Sequence, residues 1–408
     1  MLPVSGGEVA YAYKAFGVGH SFILGWLLSF GYLSVSAFEA ISVGKIVSYL
    51  FSLVDQWPLY SVSGDVIFGS HLILAAFFVG LITYVNYAGV QNSIRFQIYL
   101  TITFLTIVRA VIIKGFWSGE VSNLTPLFAE SSSVGVFAGI VSVFTTVPFW
   151  LVGFDTIPQG AEEAKEDVSH RMIGILILIS IVAAVIFYIL LIFSTAMVGD
   201  WTSLVKQDLF TAKAFELAFQ SQFMVNGILV AILIGLLTSW NGFFLAGSRV
   251  LFAMGRGRII APPLGKSHPK FQTPYYAVLF SGVITFFSAF LGRGAMMSFV
   301  NVGSFCIAFA FLGVSFSFLA LRKKFPDQER PYLAPGGRLS GYVAMTGSFL
   351  IILAITLPIF PASLKWPFEW AILLCLCLMG LVFWVLSKKS RDATSKDERD
   401  HFILEQYK

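Results

Sequence analysis

The sequence predicts an all-α integral membrane protein with about ten transmembrane helices, and three observations predict it. Hydrophobic residues make up 57% of the 408 residues and charged residues 12%, about half the roughly 25% charged of a soluble domain. The apolar runs are continuous, whereas the strands of an outer-membrane barrel would alternate apolar and polar residues. The three cysteines, Cys306, Cys375 and Cys377, all lie inside apolar runs, which excludes a secreted disulfide scaffold. The net charge of +5 would suggest a nucleic-acid partner in a soluble protein. Here it is read loop by loop, and no nucleic-acid partner is expected.

A helix needs about 20 mostly apolar residues to cross the bilayer core. Segments that meet this are 19–50, 70–90, 94–117, 134–155, 172–198, 224–254, 275–292, 296–321, 339–361 and 366–387. The first and sixth exceed a straight span, so tilt or extension into water is expected. Residues 1–408 read as one transmembrane domain, with a loop-like start at 1–18 and a solvated, mixed-charge tail at 388–408. The first 16 residues have no basic start and no long apolar core, so no secretory signal is expected. Ten spans put both termini on one side. The loops on that side hold Arg249, Arg256, Arg258, Lys266, Lys270, Arg322, Lys323 and Lys324 among many others. The opposite loops hold Lys114, Lys206, Lys213, Arg293 and Lys365. This asymmetry predicts cytoplasmic termini in the cell membrane. The sequon Asn123-Leu124-Thr125 falls on the outer side.

Ionisable groups within spans are costly and are functional hypotheses by default. Asp155 sits in PFWLVGFDTIPQGAEEAKED, which carries Pro148, Gly153, Pro158 and Gly160. Proline and glycine weaken helix continuity. One reading is a helix broken at membrane depth, tolerated only where the backbone lines a cavity. The other is a helix that ends at the cytoplasmic surface, with Asp155, Glu162, Glu163, Glu166 and Asp167 as its wet end. Glu39 lies mid-span in GYLSVSAFEAISVGKIVSYL. It reads either as the partner of a substrate amine or a proton, or as a protonated structural acid. Lys45, six residues on, does not share its face and is expected to snorkel outward. Arg109 fits either an outward snorkel or an interhelical pair. Thr238, Ser239 and Asn241 form a polar knot that suits helix packing or a cation. Phe149, Trp150 and Phe154 flank the proposed break and read as lipid or core contacts, or as a gate.

No catalytic constellation is present. The five histidines are scattered, and there is no HExxH, no CxxC and no phosphate-cradling loop. Cys375 and Cys377 would point to opposite sides of a helix. The chain is not expected to be an enzyme or to hold a cofactor.

Four stretches resemble the amino acid–polyamine–organocation family of transporters. PVSGGEVAYAYKAFG, followed by Gly25-Trp26, is similar to the family loop between its second and third spans. GFDTIPQGAEEAKED resembles its broken sixth span. SRVLFAMGRGRIIAPPLGKSHPKFQTP resembles its eighth span and following loop, and LRKKFPDQERPYLAPGG the loop after its tenth. Two positions depart from the pattern. Gly257-Arg258 stand where the family usually reads Asp-Gly, and Thr103 and Phe104 stand where many members carry a lysine.

The resemblance implies a LeuT-like inverted repeat and secondary active transport of an amino acid or related organic amine by alternating access. It implies that Gly153, Phe154 and Asp155 form the break, with Phe149 and Trp150 as an aromatic gate. Ser36 and Glu39 would face the cavity, Glu39 favouring a cationic side chain or simple amine. Thr238, Ser239 and Asn241 would line a cation site. The coupling ion stays open between proton and sodium, and a homo-oligomer is compatible. The ten spans would correspond to family spans 3–12, without the first broken helix. A truncated start is therefore expected, and the competing reading is a non-transporting fragment or a membrane scaffold that needs a partner.

Overall fold

The computed structural model describes residues 6–51, 55–89, 93–128, 135–159, 169–207, 210–330 and 332–405. The helix α1 (Gly7–Phe16) leads into α2 (Val18–Leu50). A hairpin of β1 (Pro58–Val62) and β2 (Asp65–Phe68) follows, then α3 (Gly69–Ala88), α4 (Ser93–Ser118) and α5 (Gly135–Leu151). Next come the short α6 (Thr156–Gln159), α7 (His170–Met197), α8 (Trp201–Leu204), α9 (Phe210–Phe219) and α10 (Gln222–Arg256). The remainder is α11 (Tyr275–Ala289), α12 (Met296–Lys324), α13 (Arg338–Thr356), α14 (Phe368–Leu386), α15 (Lys388–Ala393) and α16 (Lys396–Asp400).

Nine apolar helical segments among the described residues are long enough to cross a membrane, and the shorter α11 falls where a tenth span is expected. The protein is therefore an all-α membrane protein. Several boundaries differ from expectation: α5 ends at Leu151 rather than 155, and α12 runs on to Lys324 rather than 321. α13 stops at Thr356 rather than 361, because Leu357 precedes Pro358 and turns extended. α11 ends at Ala289 rather than 292.

α2 is the centre of the molecule. Its 33 residues are mostly apolar, and most of its length is buried by neighbours on several sides. α10, α12, α1, α3 and α11 all pack on it. Small residues set the closest approach. A Cβ on Gly303 of α12 would lie 2.1 Å from the Ser34 hydroxyl of α2, so the two backbones meet at a distance only glycine allows.

Three regions depart from the sequence expectation. The loop-like start is the helix α1, with Val9, Ala10, Ala12 and Ala15 buried in the core. The tail is not solvated along its length. Ile403 is buried and meets the backbone at Gly257, Arg258 lies over the Phe402 ring, and Tyr13 donates to Asp400 Oδ1 at 2.5 Å. Charge counts hid the reason, which is the apolar Phe402-Ile403-Leu404 triplet inside a charged segment. The hairpin was also not expected. Its turn is Ser63-Gly64, both at positive φ (50° and 89°), the geometry a two-residue hairpin favours. Tyr60 ties it to the Phe290 carbonyl at the end of α11.

The tail contact is testable. Tyr13→Phe removes one partly buried hydrogen bond, about 1 kcal/mol, and should speed hydrogen exchange at residues 396–405 while leaving α2 unchanged. Burial and the Asp400 carboxylate raise the Tyr13 phenol above its ordinary value. The docked tail thus holds a proton that a free tyrosine releases near pH 10. Docking is full below about pH 10 and weakens above it. Tyrosinate absorbance, taken as the difference from Tyr13→Phe, should appear only above that pH.

Candidate functional site

The helix of α5 carries Pro148 and runs on to Val152, whose N–H reaches the Pro148 carbonyl at 3.1 Å. The chain then turns through Gly153, Phe154 and Asp155 before α6 begins. Gly153 has φ +128°, a conformation side chains rarely adopt. The helix is therefore interrupted at the glycine the sequence singled out, with the four-residue α6 the part described beyond it. The acidic residues Glu162, Glu163, Glu166 and Asp167 lie outside the described residues.

Polar groups from two other helices hold the break. The Asp155 carboxylate accepts the Gly153 N–H on Oδ1 and the Tyr32 hydroxyl on Oδ2, each at 2.8 Å. Thr156 returns its hydroxyl to the Gly153 carbonyl at 2.6 Å. From α7, Tyr188 donates to the Trp150 carbonyl at 3.1 Å. Tyr32 lies close to the midpoint of α2, so the break sits deep in the bundle. Its backbone is satisfied there by side chains together with the turn bonds from the Thr156 N–H to the Gly153 carbonyl and from the Ile157 N–H to the Phe154 carbonyl.

One stripe of α2 serves the site. Tyr32, Ser36 and Glu39 follow i, i+4, i+7 spacing and share a face. Ser36 is fully buried and its hydroxyl returns to the Tyr32 carbonyl. Glu39 is 4% exposed. Its Oε1 accepts the Ser239 hydroxyl of α10, and its Oε2 is buried with no hydrogen-bond partner among the described residues. An unpaired carboxylate oxygen in an apolar layer is costly unless a proton or cation joins it.

The remaining residues divide. Phe149 is buried, stacks edge-on with Phe38 and Trp150, and closes on Gly303. Trp150 is 38% exposed and also meets Phe38. Phe154 turns towards Phe311 of α12 at 5.5 Å. Thr238, Ser239 and Asn241 turn to different elements. Thr238 bonds the Gly235 carbonyl, Ser239 bonds Glu39, and Asn241 accepts from Asn86 of α3 and donates to Gln97 of α4. Arg109 lies on the exposed face of α4, and Lys45 is half-buried. No group of three or more potential metal-holding side chains occurs among the described residues.

Tyr32, Tyr188 and Phe243 were not anticipated. Phe243 of α10 packs 6.1 Å from the Tyr32 ring and stands 3.4 Å from where a Gly153 Cβ would be. The available signal was a tyrosine one turn before Ser36 and two before Glu39. Tyr188 and Phe243 gave none, since single aromatics are common in this chain.

Comparison with known proteins decides the family. The family model described as "Amino acid permease" matches residues 1–392. The chain belongs to the amino acid permease family. This permease-family chain is 27% identical over 348 residues to the methylthioribose transporter of Bacillus subtilis, covering 82% of this chain and 71% of that protein. It is 29% identical over 345 residues to the branched-chain amino acid permease BcaP of the same organism, with the same coverage. It is 29% identical over 322 residues to the chloroplastic cationic amino acid transporter 7 of Arabidopsis thaliana, covering 74% of this chain and 52% of that protein. These relatives are transporters and permeases, so the permease-family chain is not an enzyme. The LeuT-like architecture is consistent with the family.

The break makes a stability prediction. Asp155→Ala strips two buried donors of their acceptor and should destabilise the detergent-solubilised protein by about 3 kcal/mol, against about 1 kcal/mol for Tyr32→Phe. Thermal denaturation orders the two. A milder effect from Asp155→Ala would remove the carboxylate from its place at the centre of the break.

Proposed function

We propose that this chain is a secondary active transporter of an amino acid or related organic amine, working by alternating access around the break between α5 and α6. The observation that carries the reading is the interruption at Gly153–Asp155, deep in the bundle and held by Tyr32 and Tyr188. Half-helix ends and unwound backbone at membrane depth are what transporters use to hold solutes and ions. Gly153, Phe154 and Asp155 form one wall of the substrate path, and Phe149 with Trp150 closes it. Ser36 and Glu39 face it from α2.

Glu39 is the residue that receives positive charge. Its Oε1 holds Ser239 and its Oε2 is open to a cation or proton. Ser239 is the cation-side contact that the α10 polar knot contributes, with Thr238 and Asn241 supporting the helix beside it. Amino acid substrates are in keeping with relatives that include a branched-chain amino acid permease and cationic amino acid transporters. The chain functions as one transmembrane domain in the cytoplasmic membrane with both termini inside, in keeping with the basic residues of its loops.

The test is uptake into proteoliposomes. A labelled panel of arginine, lysine, leucine and ethanolamine is offered with and without an imposed proton gradient. Saturable uptake is expected, and Glu39→Gln should reduce it at least tenfold for cationic substrates, or abolish the gradient dependence if the charge is a proton. Full gradient-driven uptake of every substrate by Glu39→Gln would sink the role given to Glu39. Absence of saturable uptake of any of the four by the monodisperse protein would sink the transport reading.

A further inference from the structure

A crevice of about 470 Å³ opens on the side of the bundle between α3 and α11, away from the break. Val79, Gly80 and Thr83 form one wall, Gly282, Val283 and Phe286 the other. α3 and α11 nearly touch at its floor, where a Cβ on Gly282 would lie 2.6 Å from the Thr83 hydroxyl. Above that floor the space is open, and a Cβ added at Gly80 meets nothing within 4 Å. The α3 wall runs from Ala76 to Tyr87, about 16 Å of helix. That is about half of the ~30 Å hydrocarbon core, the depth of one leaflet.

One end of the crevice is polar and basic. Tyr87 lines it and also packs against His268 at 5.2 Å and Phe271 at 6.0 Å. Lys270 lies over the Phe271 ring at 5.3 Å, and Lys266 sits four residues earlier on the same exposed loop. Thr273 pins this loop to the end of α3 by donating to the Tyr87 carbonyl at 2.7 Å. Tyr275 and Tyr276 stand beside it, where aromatic residues mark the headgroup level. No Asp or Glu occurs between Glu216 and Asp327, so no carboxylate on these segments opposes the lysines.

We propose that the crevice between α3 and α11 is a binding site for an anionic phospholipid, one acyl chain lying along Gly80 and Val283 and the headgroup phosphate meeting Lys266 and Lys270. The argument is complementarity at both ends. A one-leaflet apolar channel open to the bilayer takes an acyl chain, and a basic loop at its mouth selects a negative headgroup. The site is separate from Glu39 and Asp155 and does not depend on what is transported.

The experiment is native mass spectrometry of the full detergent-purified chain with equal amounts of dioleoylphosphatidylglycerol and dioleoylphosphatidylcholine. The wild type is expected to retain the phosphatidylglycerol in about thirtyfold excess, the preference that two lysines near the surface supply at about 1 kcal/mol each. Lys266→Gln with Lys270→Gln, on the exposed loop, should bring the two lipids level. Gly80→Leu should lower retention of both by filling the channel. Equal retention by the wild type overturns the proposal, as does a preference that survives the lysine pair. A Gly80→Leu protein that is monodisperse and binds as the wild type does also overturns it. Oxidative crosslinking of Gly80→Cys between copies, above the background of the exposed Cys375 and Cys377, would place a second copy in the crevice and overturn it too.

Discussion

The carboxylate of Asp155 is the joint on which the interior depends. In a hydrocarbon layer a backbone cannot leave its helix without new partners for the groups it frees. Asp155 supplies one to its own chain, at Gly153, and takes one from α2, at Tyr32. This ties the interrupted segment to α2, the most buried of the membrane-length helices among the described residues. α2 in turn is gripped by α10 and α12 at spacings that Gly303 and its like permit. Without that grip Tyr32 would have no fixed position from which to hold the break, and the break would have no reason to persist over a continuous helix.

Two polar centres follow from this arrangement. They lie two turns apart on one face of α2. The first, Tyr32, reaches α5 and α6. The second, Glu39, reaches α10 through Ser239. The first is saturated by its partners, while the second has a buried oxygen to spare. That asymmetry is what the transport proposal builds on: Asp155 holds the shape of the turn, and Glu39 is the acid it gives to a cation or proton. The sequence distinguishes the two acids by setting, Asp155 beside a proline and glycine interruption and Glu39 alone in mid-span, but not by which of them has an oxygen without a partner.

Much of the fold was legible because membrane helices write themselves as long apolar runs. The break was legible from Pro148, Gly153 and Pro158, since local backbone chemistry needs no knowledge of the partner. Glu39 was legible as an acid where acids are rare. What stayed hidden depends on distant chain. Tyr32 meets Asp155 across 123 residues, and Ser239 meets Glu39 across 200. Nothing in the polar knot at 238–241 says that Ser239 turns to α2 while Asn241 turns to α3 and α4. The docked tail was hidden for another reason. Three apolar residues within a charged stretch carry little weight in composition, yet Ile403 alone fills a place in the core.

That docked tail also sets an order on assembly. Tyr13 and Asp400 are 387 residues apart. At about 5–20 residues per second of synthesis, α1 waits roughly 20–80 s for its last neighbour to be made. Throughout that interval the loop around Gly257 and Arg258 lacks the Phe402-Ile403 cover it has in the finished molecule. Residues 402 and 403 therefore close this face only late in synthesis, after every helix they cover has been made. A newborn chain and a completed one differ there in the surface they show to chaperones and proteases.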